Sequence, residues 1–150
     1  MKIYSCFTPS HEALYREYFF PTLPQDFEPY VAQIDISGSG DFGTADFMQT
    51  LEVKIEIVLN SIADNAGSAI VWSDVDIVFT RGSVPQLHDL LKDRSTDIWF
   101  QKERQGDDRE INAGLILMRC NEAVERLYRD ALALMPVSYT HLTLPTISSV

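Results

Sequence analysis

Short β-rich runs alternate with segments of helical periodicity along most of the 150-residue chain, and no other feature restricts the fold as much. Strands separated by helices pair in parallel, and a parallel sheet needs helices over its faces, so the pattern predicts an α/β domain with a largely parallel sheet. Residues 2–7, 30–36, 69–72, 97–101 and 111–119 read as strands. Between 44 and 65 the apolar residues Phe47, Met48, Leu51, Ile55, Val58, Leu59 and Ile62 recur at helical spacing, and that helix is expected to end near Gly67. Ser10 is placed to cap a helix running to Phe20, with Ala13, Leu14 and Tyr18 inward and Pro21 beyond its end. Two further helices are expected, over 84–91 with Pro85 in the first turn and over 121–134. The run Ser37-Gly38-Ser39-Gly40-Asp41-Phe42-Gly43 reads as a loop of the kind that lies over ligand sites in α/β folds.

Composition narrows the function classes. With 45% hydrophobic and 23% charged residues the chain can bury one core. Its 22 acidic residues outnumber 12 basic ones, giving a net charge of -10. Nucleic-acid backbones are bound by clustered Lys and Arg, so this charge argues against a nucleic-acid partner. It leaves room for a nucleotide, because one metal ion supplies local positive charge. The two cysteines, Cys6 and Cys120, lie in apolar runs and read as small core residues in a reducing compartment. The opening residues lack the pattern of a signal peptide, and no apolar run approaches the ~20 residues of a membrane span, so a cytoplasmic protein is expected.

The last residues are of another kind. Val137-Ser138-Tyr139-Thr140-His141-Leu142-Thr143-Leu144-Pro145-Thr146 matches one reading frame of a transposon adapter used in sequencing libraries, and Ile147-Ser148-Ser149-Val150 fits an index followed by the next adapter. Residues 137–150 are therefore expected to be a non-native, adapter-derived tail, leaving 1–136 as the amino-terminal part of a longer protein.

Chemistry concentrates after the apolar run Ala69-Ile70-Val71-Trp72, where Ser73-Asp74-Val75-Asp76-Ile77 sets two carboxylates at the carboxyl end of a buried strand. Strand side chains alternate, so Asp74 and Asp76 share a side if the chain stays extended, or converge if it turns. Two hard oxygen donors about 7 Å apart along the backbone suit a divalent cation that keeps waters and phosphates as its other ligands. The plain alternative is a solvated turn in which one Asp caps the next segment. Open α/β sheets bind ligands outside the carboxyl ends of their strands, which favours the functional reading.

Lys54 falls on the inner edge of an apolar helix face, either as a lysine whose stem covers apolar surface or as a charge reaching a diphosphate. Asn112-Ala113-Gly114 opens a strand with small residues: Gly114 marks a bulge, or the segment lets a sugar approach the backbone while Asn112 binds its hydroxyls. Asp107, Asp108 and Arg81 read as solvated or surface-paired groups within reach of a ligand.

The order of Lys54 on its helix, Ile70-Val71-Trp72-Ser73-Asp74-Val75-Asp76-Ile77-Val78-Phe79 and Asn112-Ala113-Gly114-Leu115-Ile116-Leu117-Met118-Arg119 resembles the nucleotide-diphospho-sugar transferases, glycosyltransferases of the GT-A type. The resemblance covers most of residues 1–135 and implies a GT-A, Rossmann-like α/β fold, incomplete at the carboxyl terminus, with residues 1–136 forming its nucleotide-sugar-binding part. It implies a nucleotide-sugar donor, an acceptor that is a glycan, lipid or protein, and Mn2+ or Mg2+ as cofactor. Asp76 would be the principal metal ligand, and Asp74 would share the metal or hold the ribose. Phe7 and Thr8 would lie near the base, Lys54 near the diphosphate, and Asn112, Ala113 and Gly114 near the donor sugar or acceptor. Thr80 and Gly82-Ser83 depart from the bulkier residues often seen after the motif. Two competing readings stand beside it. One is a haloacid-dehalogenase-like phosphatase with Asp74 as nucleophile and Asp76 as acid/base; the other is an inactive half-domain.

Overall fold

A computed structural model of the chain describes residues 1–38, 43–102, 111–135 and 148–149. Six strands form one sheet in the order β4-β5-β3-β1-β2-β6. They are β1 (Lys2–Phe7), β2 (Glu28–Gln33), β3 (Ala69–Ser73), β4 (Ile98–Lys102), β5 (Ile111–Arg119) and β6 (Ser148–Ser149). β1 pairs in parallel with β2 on one side and β3 on the other, whereas β5 runs antiparallel to both β3 and β4. The carboxyl ends of β1, β2 and β3 thus meet along one edge of the sheet, the edge at which α/β folds bind ligands.

Alternation along the strands makes two cores, one on each face. Tyr4, Ala32, Ile70, Trp72, Ile116 and Met118 project to one side, where the long helix α3 (Ala45–Asp64) packs with α5 (Glu122–Leu134). Ile3, Val31, Val71 and Leu117 project to the other, against Phe19 from the helical residues 9–22, Phe79 from the loop after β3, and Val84 and Leu87 from α4 (Ser83–Leu90). Thr44 caps α3 by accepting from the Phe47 amide at 3.4 Å, and Asn121 caps α5 by accepting from the Val124 amide at 3.0 Å. Gly67 has φ +79°, a left-handed conformation that suits glycine in the turn between α3 and β3.

Several expectations shift. The second strand begins and ends earlier than 30–36, because β1 sets its register from Lys2↔Glu28 to Phe7↔Gln33; Ile34 and Ile36 stay buried outside it. The first helical segment is composite: a 3-10 turn (Pro9–His11), α1 (Glu12–Leu14), a π-turn (Tyr15–Phe19) and α2 (Phe20–Thr22). Ser10 makes no cap, since the helical turn starts before it at Pro9. Phe19 is buried while Ala13 and Tyr18, expected inward, are exposed, and the π-turn changes the phase of the side chains from Tyr15 onward. On α3 the fully buried residues are Val53, Ile57, Val58, Ser61 and Ile62; Phe47, Met48, Leu51, Ile55 and Leu59 are half-buried. The expected face is thus turned by about one residue. Most of the 37–43 loop, Asp107, Asp108 and residues 137–147 and 150 lie outside the described residues. Ser148 and Ser149, assigned to the tail and left out of the expected fold, pair with Val31 and Tyr30 of β2. Edge pairing of this kind uses backbone groups that any sequence supplies.

Candidate functional site

A cavity of about 290 Å³ opens at the carboxyl edge of β1 and β3, under the amino-terminal half of α3. Asp74, Asp76, Lys54, Phe7 and Thr8 all line it. Asn112, Ala113 and Gly114 do not; they stand behind Asp74 on β5.

Asp74 is the hub. Trp72 and Asp74 share strand parity, so both side chains fall on the α3 face of the sheet. Lys54 Nζ donates to Asp74 Oδ1 at 2.7 Å and to the Ala113 carbonyl at 3.2 Å. The Trp72 indole Nε1 donates to the same Oδ1 at 3.0 Å, and the Lys54 ammonium lies 5.2 Å from the Trp72 ring centroid. The Asp74 backbone amide donates to the Gly114 carbonyl at 2.7 Å. Charge, ring and backbone together fix this carboxylate.

β3 ends at Ser73, and the chain then turns, with the Ile77 amide donating to the Asp74 carbonyl at 3.4 Å. Of the two geometries open from sequence, the turn is the one adopted. Val75 becomes buried and Asp76 exposed; Asp76 makes no side-chain hydrogen bond or ion pair among the described residues.

β5 is irregular where it passes Asp74. Phe100 pairs with Ile116 but Gln101 with Asn112, so Ala113, Gly114 and Leu115 have no partner on β4. Bulges of this sort re-aim strands beside functional sites. A Cβ on Gly114 would lie 2.7 Å from Asn112 Oδ1 and 3.6 Å from Asp74 Oδ2. A side chain here would collide with the Asn112 amide oxygen, whereas its distance from the carboxylate is an ordinary contact. Asn112 Oδ1 accepts from the Gly114 amide at 2.6 Å, so that oxygen serves the bulge itself.

Phe7 is buried, its ring stacked on Tyr15 at 4.6 Å between centroids, and it therefore belongs to the core as much as to the cavity. Thr8 Oγ1 sits 2.9 Å from both Ser10 Oγ and His11 Nδ1. This polar trio lines the cavity together with Asp46 and Thr50 on α3; of these only Thr8 is expected at the site from sequence. The available signal was Thr8-Pro9-Ser10-His11 directly after a parallel strand, the position where ligands gather. Arg81 is exposed and makes no side-chain hydrogen bond or ion pair among the described residues.

Cys6 also lines the cavity, and burial pushes its thiol up to about 12 despite the nearby Lys54 charge. Burial likewise pushes Cys120 up to about 11. A thiolate nucleophile is favoured by a lowered value, so both behave as neutral core side chains.

The donor set fits a divalent cation held jointly with its ligand. Asp74 and Asp76 both line the cavity; Oδ1 of Asp74 is already occupied, while its Oδ2 accepts no hydrogen bond among the described residues. Asp46 lines the same space, yet among the described residues no group of three His, Cys, Asp or Glu side chains gathers as a ligand set. Two carboxylates leave most of the coordination sphere to water and phosphate oxygens, as Mg2+ prefers.

No curated protein sequence matches the chain. Its fold is similar to that of the apo-form glycosyltransferase GlyE of Streptococcus pneumoniae TIGR4, at a TM-score of 0.58 and 10% identity, over 95% of this chain and 40% of that one. It is also similar to a glycosyltransferase involved in glycosylation of the major capsid of PBCV-1, at 0.53 and 12%, over 89% of this chain and 65% of that one. The chain thus spans less than half the length of GlyE, and the architecture is the GT-A type of α/β fold. The sequence pattern described as nucleotide-diphospho-sugar transferase matches residues 17–136. Since that match takes in α3 with Lys54, the Asp74–Asp76 turn and β5 with its bulge, the chain belongs to the nucleotide-diphospho-sugar transferase family.

Proposed function

We propose that the chain carries the donor site of a glycosyltransferase, which moves a sugar from a nucleoside-diphosphate sugar to a glycan, lipid or protein acceptor. In this reaction the bond between the anomeric carbon and the diphosphate oxygen breaks, its electron pair leaving with the nucleoside diphosphate. An acceptor oxygen forms the new bond to that carbon and gives up its proton. The observation that carries the reading is the pair Asp74 and Asp76 lining a cavity at the carboxyl edge of parallel strands, with Asp74 Oδ2 and the Asp76 carboxylate free of hydrogen bonds among the described residues.

Asp76 and Asp74 would hold Mn2+ or Mg2+ against the diphosphate, and the bound cation supplies Lewis-acid stabilisation of the departing charge. Lys54 uses two of its three donors on Asp74 and Ala113, and the third serves a phosphate oxygen. Thr8 lies where the base would rest, with the Phe7 backbone beside it, and Asn112, Ala113 and Gly114 shape the wall behind the sugar. Transferase membership sets aside the phosphatase in which Asp74 would be the nucleophile. Among the described residues no helix is long and apolar enough to cross a membrane. Two unpaired cysteines support a reducing compartment, the cytoplasm.

The test is Asp76→Ala in a transfer assay on the enzyme. Metal-dependent turnover is expected to disappear, and unchanged turnover overturns the assignment.

A further inference from the structure

We propose that Trp72 is a positioning residue for the donor site, its indole N–H holding Oδ1 and so fixing the rotation of Asp74, which leaves Oδ2 as the oxygen available to an incoming cation. The proposal rests on the donor-site reading above and adds a residue that does not itself touch the ligand.

Trp72 is fully buried on β3, held in register between Tyr4 of β1 and Ile116 of β5. An indole N–H is donor only, and a buried one needs an acceptor. Here that acceptor is a carboxylate oxygen two residues on, in the turn just past the end of the strand. Lys54 alone would leave Asp74 free to pivot, because an ammonium is a compact charge that can follow either oxygen. The indole cannot follow, since its ring is locked by the sheet and by packing in the α3-side core. Oδ1 therefore stays with Trp72 and Lys54, and Oδ2 is left without a hydrogen bond among the described residues. Holding one oxygen of a ligating carboxylate by hydrogen bonds is how outer-shell groups orient a metal ligand.

The sequence contains two tryptophans, Trp72 and Trp99, so a nitrogen-correlated proton spectrum has two indole signals, and Trp99→Phe assigns them. Without any metal, Asp74→Asn is expected to move the Trp72 indole signal upfield, and Asp76→Ala is expected to leave it in place. Mn2+ binding then reads the role. Trp72→Phe is expected to weaken Mn2+ about 10-fold, Trp99→Phe is expected to leave it unchanged, and in the Asp74→Asn background Trp72→Phe adds nothing further. Where Phe does not fold, the benzothiophene isostere of Trp72 keeps the ring shape and removes only the N–H. An indole signal indifferent to Asp74 overturns the proposal, as does unchanged Mn2+ affinity without the N–H. An equal loss in the Asp74→Asn background makes Trp72 merely structural and overturns it too. Wild-type protein that binds no Mn2+ while the indole signal responds to Asp74 contradicts the donor-site reading and removes the positioning role with it.

Discussion

Asp74 shows how one side chain acquires a function from its neighbours. A carboxylate after a buried strand would be costly if left beside apolar surface, and here a lysine and an indole satisfy one oxygen and leave the other without a hydrogen bond among the described residues. Asp76 has no such partners among the described residues. Cys6, on the adjoining strand, is tuned in the opposite sense, its thiol kept neutral by burial at about 12. The sign of the consequence follows from linkage. The unfolded chain releases thiol protons near 9.0, while the folded chain retains them up to about 12 at Cys6 and about 11 at Cys120. Their stabilisation is therefore complete below pH 9 and is lost as pH rises above it. Between pH 8 and pH 10 the urea midpoint is expected to fall, and to fall less in Cys6→Ala/Cys120→Ala. An equal fall in both proteins would contradict the burial of these thiols.

At the scale of elements, the strands of the central sheet were readable because their residues are apolar and β-branched between polar turns. Residues 111–119 are strand to the residue, and β3 differs by one. Helix phase was less legible. α3 is apolar around much of its circumference, so the sequence offered two plausible inner faces, and packing between β-sheet and α5 chose the one through Val53 and Ile57. Ile57→Ala is expected to lower stability by about 2–5 kcal/mol, and Ile55→Ala by clearly less, in urea unfolding. Reversed magnitudes would restore the other face. The π-turn in the first helical segment leaves no mark in composition, which is why Tyr18 was assigned inward. In the site, Asp74, Asp76 and Lys54 were recognisable as charges set against apolar patterns. The Trp72 contact was not, because a tryptophan in a buried strand reads as core, and Ser10 and His11, the partners of Thr8, were hidden in what looked like a helix cap.

At the scale of the molecule, the cavity draws on elements far apart in sequence: the end of β1, the first half of α3 and the turn after β3. The parallel arrangement of β1, β2 and β3 brings these ends to one edge, and the antiparallel β5 passes behind them with its bulge against Asp74. A net charge of -10 means that the overall field repels an anionic diphosphate. Affinity must then come from local charge, from Lys54 and from a cation held by Asp74 and Asp76. The most direct measurement is calorimetric titration of a nucleoside diphosphate into the protein with Mn2+, with EDTA, and with Mn2+ in Asp76→Ala. Binding is predicted in the first condition alone. Equal affinity in all three would contradict a metal-assisted donor site at this edge of the sheet.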